Sequence, residues 1–411
     1  MTHNPLQEKQ IVLGVTGGIS AYKTVELTSL LIRSGAVVDV IMTEAAQQFV
    51  APLTFQAITH RPVVTEMFSL LAETEIGHVS LAKKADLLII APATANTIAR
   101  LALGLADDML GTTVLATRSP IIVAPAMETA MWENPMTQEH IRALRKRNMT
   151  IVGPAEGRLA SGASGMGRMS EPNEILEVAK QILARSGDLA GRSVLITAGG
   201  TQEPIDPVRF ISNRSSGKMG IALATAARDR GGVVTLISAP TAIPPPDGIA
   251  LHRVQTAQEM ADAVLEHVRT CDALIMAAAV ADYRPEKQAE QKMKKDQVGE
   301  LTLRLTRNPD ILAQVAEWKG NRKLPLVIGF AAETQNLIAN AEAKLKGKRL
   351  DMIAANDVSA TDSGFGAETN RVTLLDADGH KEELPLMPKL EVAHHILNWV
   401  VLRLSQLTEK D

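Results

Sequence analysis

The chain has 411 residues, more than one hydrophobic core usually organises, so two domains of roughly 200 residues each are expected. A net charge of -3 and an aromatic content of 3% exclude a basic, base-stacking nucleic-acid binder. One cysteine, Cys271, excludes an internal disulfide and a cysteine-built zinc site, and with neither a basic-apolar leader in "MTHNPLQEKQ" nor an apolar run of about 18 residues, a soluble cytoplasmic protein is expected.

Short β-branched runs alternate with amphipathic stretches, the pattern of parallel sheets covered by helices on both faces. "IVLGVTGG" reads as a strand, "SAYKTVELTSLLIRSG" as a helix stopped by Gly35, and "VVDVIMT" as the next strand. "ADLLIIAPA", "PIIVAPAM" and "MTIVGPA" follow as strands, then a glycine-rich loop, "RLASGASGMGRM", and the helix "EPNEILEVAKQILA" with Pro172 in its first turn. The polar stretch "RSGDLAGR" marks a linker at 185–191, dividing the chain into domains 1–186 and 190–411. The second half restarts with "SVLITAGG" and continues through "VVTLISA", "ALIMAAAVAD", "PLVIGFAAE" and "DMIAANDV". Thr256 with Glu259 predicts a capping box, "NPD" predicts a cap at Asn308, and Asp378-Gly379 predicts a hairpin. The fold class is α/β, with two Rossmann-like domains whose sheets are mainly parallel.

In "GVTGGISAYKT", Gly14, Gly17 and Gly18 permit a tight turn after a strand, Ser20 is placed to cap the next helix, and the helix start suits an anion. The spacing departs from G-x-G-x-x-G, and the second strand ends at Thr43 where a dinucleotide site would carry an acid. A mononucleotide such as FMN is therefore favoured over NAD, although a purely structural glycine turn fits the loop equally well. Loops at 91–97, 124–132 and 153–169 also follow strands and would converge on the same sheet edge. His78 is the histidine near this set, and taken by itself it fits a satisfied core or surface residue.

In the second half, Gly199, Gly200 and Thr201 follow a strand, and "SSGKMG" opens a helix without the Walker A spacing. Asp282 ends a strand, where it could hold a metal on a triphosphate or cap a turn. Lysine runs at Lys292, Lys294 and Lys295 and at Lys344, Lys346 and Lys348 fit either solvated faces or anion binding.

"GVTGGISAYK", "HVSLAKKADLLIIAPATANTIARLALGLADDML" from His78, "PAMETAMW" and "GASGMGRM" resemble, in order and spacing, the homo-oligomeric flavin-containing cysteine decarboxylases. "TAGGTQEPIDPVRFISNRSSGKMG", "AAAVADYRP", "KMKK", "NPDIL" and "GFAAET" resemble the phosphopantothenate-cysteine ligase family, and together they resemble the bifunctional family of coenzyme A biosynthesis. The resemblance implies a flavodoxin-like first domain with FMN near Gly17, Ser20, Thr43, Thr94 and Asn96, and with His78 as base. It implies that flavin oxidation of the substrate thiolate makes decarboxylation feasible.

Two positions depart from that family. Glu128 stands where its "PXMNxxMW" motif has the asparagine that binds the substrate carboxylate, and Ser161 stands where its lid has a proton-donating cysteine. Three outcomes are consistent with this: a decayed flavin domain, an enzyme that stops at the enethiol, or a rewired site in which a protonated Glu128 binds the carboxylate and returns the proton.

For the second domain the resemblance implies that Asn213 contacts an acyl-cytidylate, with Arg209 and Ala278 at further positions important for that step. Lys292 would stabilise developing charge, Asp282 would bind the cytosine nucleotide or its Mg2+ (or Mn2+), Phe330 would line the base site, and Lys344 and Lys348 would reach the triphosphate. The substrates implied are 4'-phosphopantothenate, cysteine and CTP. Trimeric decarboxylase and dimeric ligase contacts, combining as a homo-oligomer up to a dodecamer, are implied as well. Cys271 is expected to be a small core residue.

Overall fold

A computed structural model describes residues 4–67, 77–293, 302–333, 336–357 and 366–408, and the chain divides into one unit spanning Asn4–Ala184 and another from Arg185 onward. Lys294 and Lys295 of the first lysine run lie outside the described residues.

The first unit is built on five parallel strands in the spatial order Val37–Met42, Gln10–Val15, Leu87–Ala93, Ile121–Pro125 and Thr150–Ile151. This is the 2-1-3-4-5 order of flavodoxin-like sheets. Every residue of Leu87–Ala93 is buried, as befits a central parallel strand covered on both faces. Alternation sends Leu13, Leu87 and Ile89 into a core with Leu27 and Ile175, while Val12, Leu88 and Ile90 pack with Ile98, Leu110 and Ile141 on the other face. A Cβ on Gly14 would lie 2.5 Å from Leu110 Cδ1, so a larger residue there would have to displace that side chain.

The second unit is built on an eight-stranded sheet, Ala250–Arg253, Val233–Ser238, Ser193–Ala198, Ala273–Met276, Leu326–Glu333 and Met352–Asp357 in parallel, then Val372–Asp376 and Lys381–Glu383 antiparallel. Its six parallel strands run in the Rossmann order 3-2-1-4-5-6. The Asp378-Gly379 hairpin forms as expected: Gly379 has φ +87°, and Asp376 Oδ1 accepts the N–H groups of Asp378 and His380 at 3.0 and 2.9 Å.

Several local expectations are corrected. The strand in "MTIVGPA" is only Thr150–Ile151, and the glycine-rich loop is an antiparallel hairpin, Ala155–Arg158 with Ser164–Arg168. The helix Ile311–Lys319 is capped by Asp310, whose side chain accepts the Ala313 N–H at 3.0 Å, while Asn308 donates to the Ala281 carbonyl at 2.8 Å. Ser20 adopts helical φ and ψ and makes no side-chain cap. The Thr256 cap forms on the Glu259 N–H at 3.2 Å, and Glu259 reaches back one residue further than expected, to the Gln255 N–H at 2.7 Å. Among the described residues no helix is long and apolar enough to cross a membrane.

Arg230, 2% exposed, grips both Asp188 oxygens at 2.8 and 2.6 Å and donates to the His394 carbonyl at 3.1 Å and to Asn398 Oδ1 at 2.9 Å. It thereby ties the start of the second unit to the helix Lys389–Thr408. Arg230→Ala is expected to destabilise this unit by about 3 kcal/mol, the low end for a broken buried pair because Asp188 is partly solvated. A chemical-denaturation midpoint equal to wild type would contradict that.

Candidate active site

At the carboxyl edge of the first sheet lies a cleft of about 1030 Å³. Gly17, Gly18 and Ser20 reach it from the first strand, Thr43 from the second, Thr94 and Asn96 from the third, and Met127 and Glu128 from the fourth. Arg158, Leu159, Ala160, Gly167 and Arg168 of the hairpin complete it.

Short-range chemistry holds these loops together. Thr16 Oγ1 donates to the Pro92 carbonyl at 2.7 Å and accepts the Thr94 N–H at 3.2 Å, which stitches the first and third turns. Thr94 caps the helix Ala95–Leu103 through the Thr97 N–H at 3.2 Å, and Thr43 accepts the Ala46 N–H at 3.3 Å. Gly17 allows the first two turns to touch, since its Cβ would stand 2.4 Å from Ala45 Cβ. Gly18 differs, because a Cβ there meets nothing nearer than Thr94 Cγ2 at 3.7 Å. Beside it the helix Ala21–Arg33 begins, and the positive end of its dipole lies at the cleft.

Glu128 stands half-buried before the short helix Thr129–Glu133, and its side chain makes no cap hydrogen bond. The hairpin is fastened over this turn by the Met127 N–H donating to the Gly167 carbonyl at 2.9 Å. Two glycines allow that approach: a Cβ on Gly167 would lie 2.2 Å from the Met127 carbonyl oxygen, and one on Gly165 would lie 2.5 Å from Thr129 Oγ1.

The structure therefore gathers Gly17, Ser20, Thr43, Thr94, Asn96 and Glu128 around one cleft and leaves two expected residues outside its lining. His78 is half-buried on the helix Gly77–Lys84. Ser161 is exposed at the hairpin tip, where its hydroxyl accepts the Ala163 N–H at 3.4 Å.

A charge cluster absent from the sequence reading holds the hairpin. Lys23, with a side chain 8% exposed, donates to both Glu171 oxygens at 2.9 and 3.0 Å, and Arg168 donates to the same carboxylate at 2.5 Å. The Lys23 hydrogen bond, opposed by partial burial and aided by the charges of Lys23 and Arg168, keeps the Glu171 carboxyl below its ordinary value. Both cations also line the cleft.

In the second unit, two neighbouring strand ends are zipped together. The Ala279 N–H donates to the Gly199 carbonyl at 2.8 Å, and the Thr201 N–H to the Ala279 carbonyl at 3.2 Å. Thr197 Oγ1 receives the Ala278 N–H at 3.1 Å, and Asn213 Nδ2 donates to the Val280 carbonyl at 3.0 Å, so Asn213 and Ala278 meet at one edge. Asp282 is exposed beside them, its carbonyl accepting the Asn308 N–H at 2.8 Å. Lys344 donates to the Phe330 carbonyl at 2.7 Å, while Lys348 pairs with Asp310 and Lys292 is exposed. Burial raises the Asp310 carboxyl, and the Lys348 and Ala313 hydrogen bonds outweigh it, so it lies below its ordinary value. Burial pushes the Cys271 thiol up to about 12, which removes it as a nucleophile near neutral pH.

The comparisons with known proteins agree with this two-part layout. Residues 2–184 match the family model described as Flavoprotein, and residues 189–403 match the DNA/pantothenate metabolism flavoprotein C-terminal domain. The chain is 47% identical over 396 residues to the coenzyme A biosynthesis bifunctional protein CoaBC of Vibrio vulnificus, covering 96% of this chain and 98% of that protein. The corresponding Bacillus subtilis protein is 47% identical over 408 residues, covering 98% of this chain and all of its relative, and the Escherichia coli protein is 46% identical over 403 residues, covering 98% of each. Among solved structures, a C-terminal domain of such a bifunctional protein is 42% identical, with a TM-score of 0.46, over 54% of this chain and 100% of its own.

The charge cluster has a pH signature. Because the folded-state value of Glu171 lies below its ordinary 4.5, its stabilisation is fully present above that pH and is lost as pH falls through the lower folded value. Glu171→Gln is expected to flatten the fall of thermal midpoint with acidification below about pH 4.5, and unchanged acid sensitivity would count against the cluster.

Proposed function

Because the chain belongs to the bifunctional family of coenzyme A biosynthesis enzymes, which joins a decarboxylase to a ligase, we propose that it converts 4'-phosphopantothenate, cysteine and CTP into 4'-phosphopantetheine. The domains are assigned as 1–186 for decarboxylation and 190–411 for ligation, and the enzyme is placed in the cytoplasm. What carries this reading is the near full-length relationship combined with convergence of strand-end loops on one cleft in the first unit and one edge in the second.

FMN fits the first cleft in size and chemistry. The volume suits a cofactor, and the open face of Gly18, the helix start and the polar turns would hold its phosphate and ring through Gly17, Ser20, Thr43, Thr94 and Asn96. When bound, FMN supplies the two-electron chemistry that lets a cysteinyl carboxylate leave as carbon dioxide.

The chain's own residues then handle binding and protons. In its protonated form Glu128 donates a hydrogen bond to the substrate carboxylate and afterwards gives that proton to the carbon that carbon dioxide has left. An ionised Glu128 would instead repel the substrate. Glu128 lines the cleft and Ser161 is turned to solvent, which favours Glu128 as the proton carrier. His78 enters as base from a neighbouring copy. That assembly is supported by apolar side chains left exposed on the first unit, including Ile19 at 59%, Tyr22 at 60% and Leu103 at 66%. The homo-oligomer combines trimeric decarboxylase and dimeric ligase contacts.

In the ligase, the carboxylate of 4'-phosphopantothenate attacks the α-phosphorus of CTP and releases pyrophosphate, and the amine of cysteine then displaces CMP. Asn213 and Ala278 hold the acyl-cytidylate, with Arg209 beside them, and Phe330 lines the base site. Lys292 stabilises the developing charge, and Lys344 and Lys348 neutralise the triphosphate. Mg2+ (or Mn2+) at Asp282 would draw its remaining ligands from phosphates and water, the usual arrangement for a magnesium nucleotide.

A second reading, in which the flavin domain is inactive or stops at the enethiol, draws on the absent thiol at Ser161. Mass spectrometry of products from 4'-phosphopantothenate, cysteine, CTP and Mg2+ separates the two. Wild type is expected to form 4'-phosphopantetheine, and Glu128→Asn alone to accumulate the enethiol or 4'-phosphopantothenoylcysteine. Adding Ser161→Cys should restore product. Enethiol as the sole wild-type product would establish the second reading.

A further inference from the structure

Asp206 sits in the turn between the strands Gln202–Pro204 and Phe210–Ser212 and is only 2% exposed. A carboxylate is buried at a cost unless its oxygens find donors, and here the two oxygens have separate partners. Oδ1 accepts the N–H groups of Val208 and Arg209, each at 2.8 Å, which closes the turn. Oδ2 reaches outside the turn: it accepts the Met293 N–H at 3.3 Å and lies 3.5 Å from the Arg209 guanidinium. The Ala289 N–H joins the same place, donating to the Ile205 carbonyl at 2.9 Å. Burial pushes the Asp206 carboxyl up, but three backbone N–H groups and Arg209 more than offset this and hold it below its ordinary value, so it is ionised at neutral pH.

An aspartate that only shaped the turn would need Oδ1 alone. The contact of Oδ2 joins segments 87 positions apart in sequence and arrives next to Lys292.

We infer that Asp206 is a positioning residue of the ligase reaction, whose Oδ2 anchors the Lys292-bearing segment to the turn that carries Arg209. One carboxylate oxygen then sets where the segment that carries Lys292 lies against that turn. The inference rests on the proposed role of Lys292 in acyl-cytidylate chemistry, and it adds a residue that touches neither substrate nor metal.

Asp206→Asn divides the two functions of the side chain, because an amide keeps the Oδ1 acceptor for Val208 and Arg209 but presents N–H2 to Met293. The full chain is assayed for CTP-dependent pyrophosphate release with 4'-phosphopantothenate and cysteine, as wild type, Asp206→Asn, Lys292→Ala and the double variant. Asp206→Asn is expected to lower kcat on the order of ten- to a hundredfold, as displaced catalytic groups do, with KM for CTP moved by less than about threefold. The double variant is expected to be no slower than Lys292→Ala, since the anchor acts through that lysine. Acetic anhydride footprinting by mass spectrometry should show faster modification of Lys292 in Asp206→Asn.

If Lys292→Ala is impaired while Asp206→Asn keeps wild-type kcat, or if the two losses multiply, the positioning role is overturned and the ligase reading stands. If Lys292→Ala keeps wild-type kcat, the role of Lys292 fails and the inference falls with it. Should Asp206→Asn not fold, Met293→Pro removes the same N–H from the other side, and wild-type kcat in that variant overturns the inference.

Discussion

Burial of parallel strands on both faces is the constraint on which both halves of this molecule depend. A strand such as Leu87–Ala93, with every side chain buried, can present polar chemistry only where it ends. All parallel strands end on the same edge, so the turns that follow them are brought together whatever their separation in sequence. Thr16 and Thr94 meet for this reason in the first unit, with Glu128 on the same edge, as do Gly199 and Ala279 in the second. The two sheets solve the same problem with different strand orders. An antiparallel hairpin extends only the second.

The sheet and its loops were legible because their signals are local and repeated. Apolar β-branched runs give strands, and a glycine pair after a strand gives a tight turn, as at Gly17-Gly18 and Gly199-Gly200. What was not legible depended on partners distant in sequence. Ser20 reads as a cap from its neighbours but folds into helical dihedrals, and Asp310 takes the capping place expected of Asn308 because Asn308 is drawn to the Ala281 carbonyl. Serines and glycines hid the hairpin at 155–168, since its pairing depends on the Met127 contact and not on β propensity. Neither the grip of Lys23 on Glu171 nor that of Asp206 on Met293 leaves a local signature: the partners are 148 and 87 residues apart.

The departures at Glu128 and Ser161 gain meaning from where the fold puts them. The family resemblance assigns the final proton to a lid thiol, yet position 161 sits at an exposed hairpin tip in the single chain, while Glu128 lines the cleft. A carboxyl group can deliver a proton that a serine hydroxyl cannot, so transferring this duty to residue 128 is chemically coherent in the proposed reaction. The hairpin then serves mainly as cover, held down by Gly165, Gly167 and the Lys23–Glu171–Arg168 cluster. Exposed apolar residues around the first unit fit a cleft completed by a second copy.

The proposal that one chain carries both reactions to completion is tested most directly by stoichiometry. The purified full-length protein, loaded with FMN, is given limiting 4'-phosphopantothenate with excess cysteine, CTP and Mg2+, and the CMP, carbon dioxide and 4'-phosphopantetheine formed are all counted. Equimolar CMP, carbon dioxide and 4'-phosphopantetheine at completion is the expected result, and carbon dioxide without 4'-phosphopantetheine would show that the reaction stops at the enethiol. CMP equal to the 4'-phosphopantothenate consumed, with carbon dioxide absent, would show that the first unit does not decarboxylate.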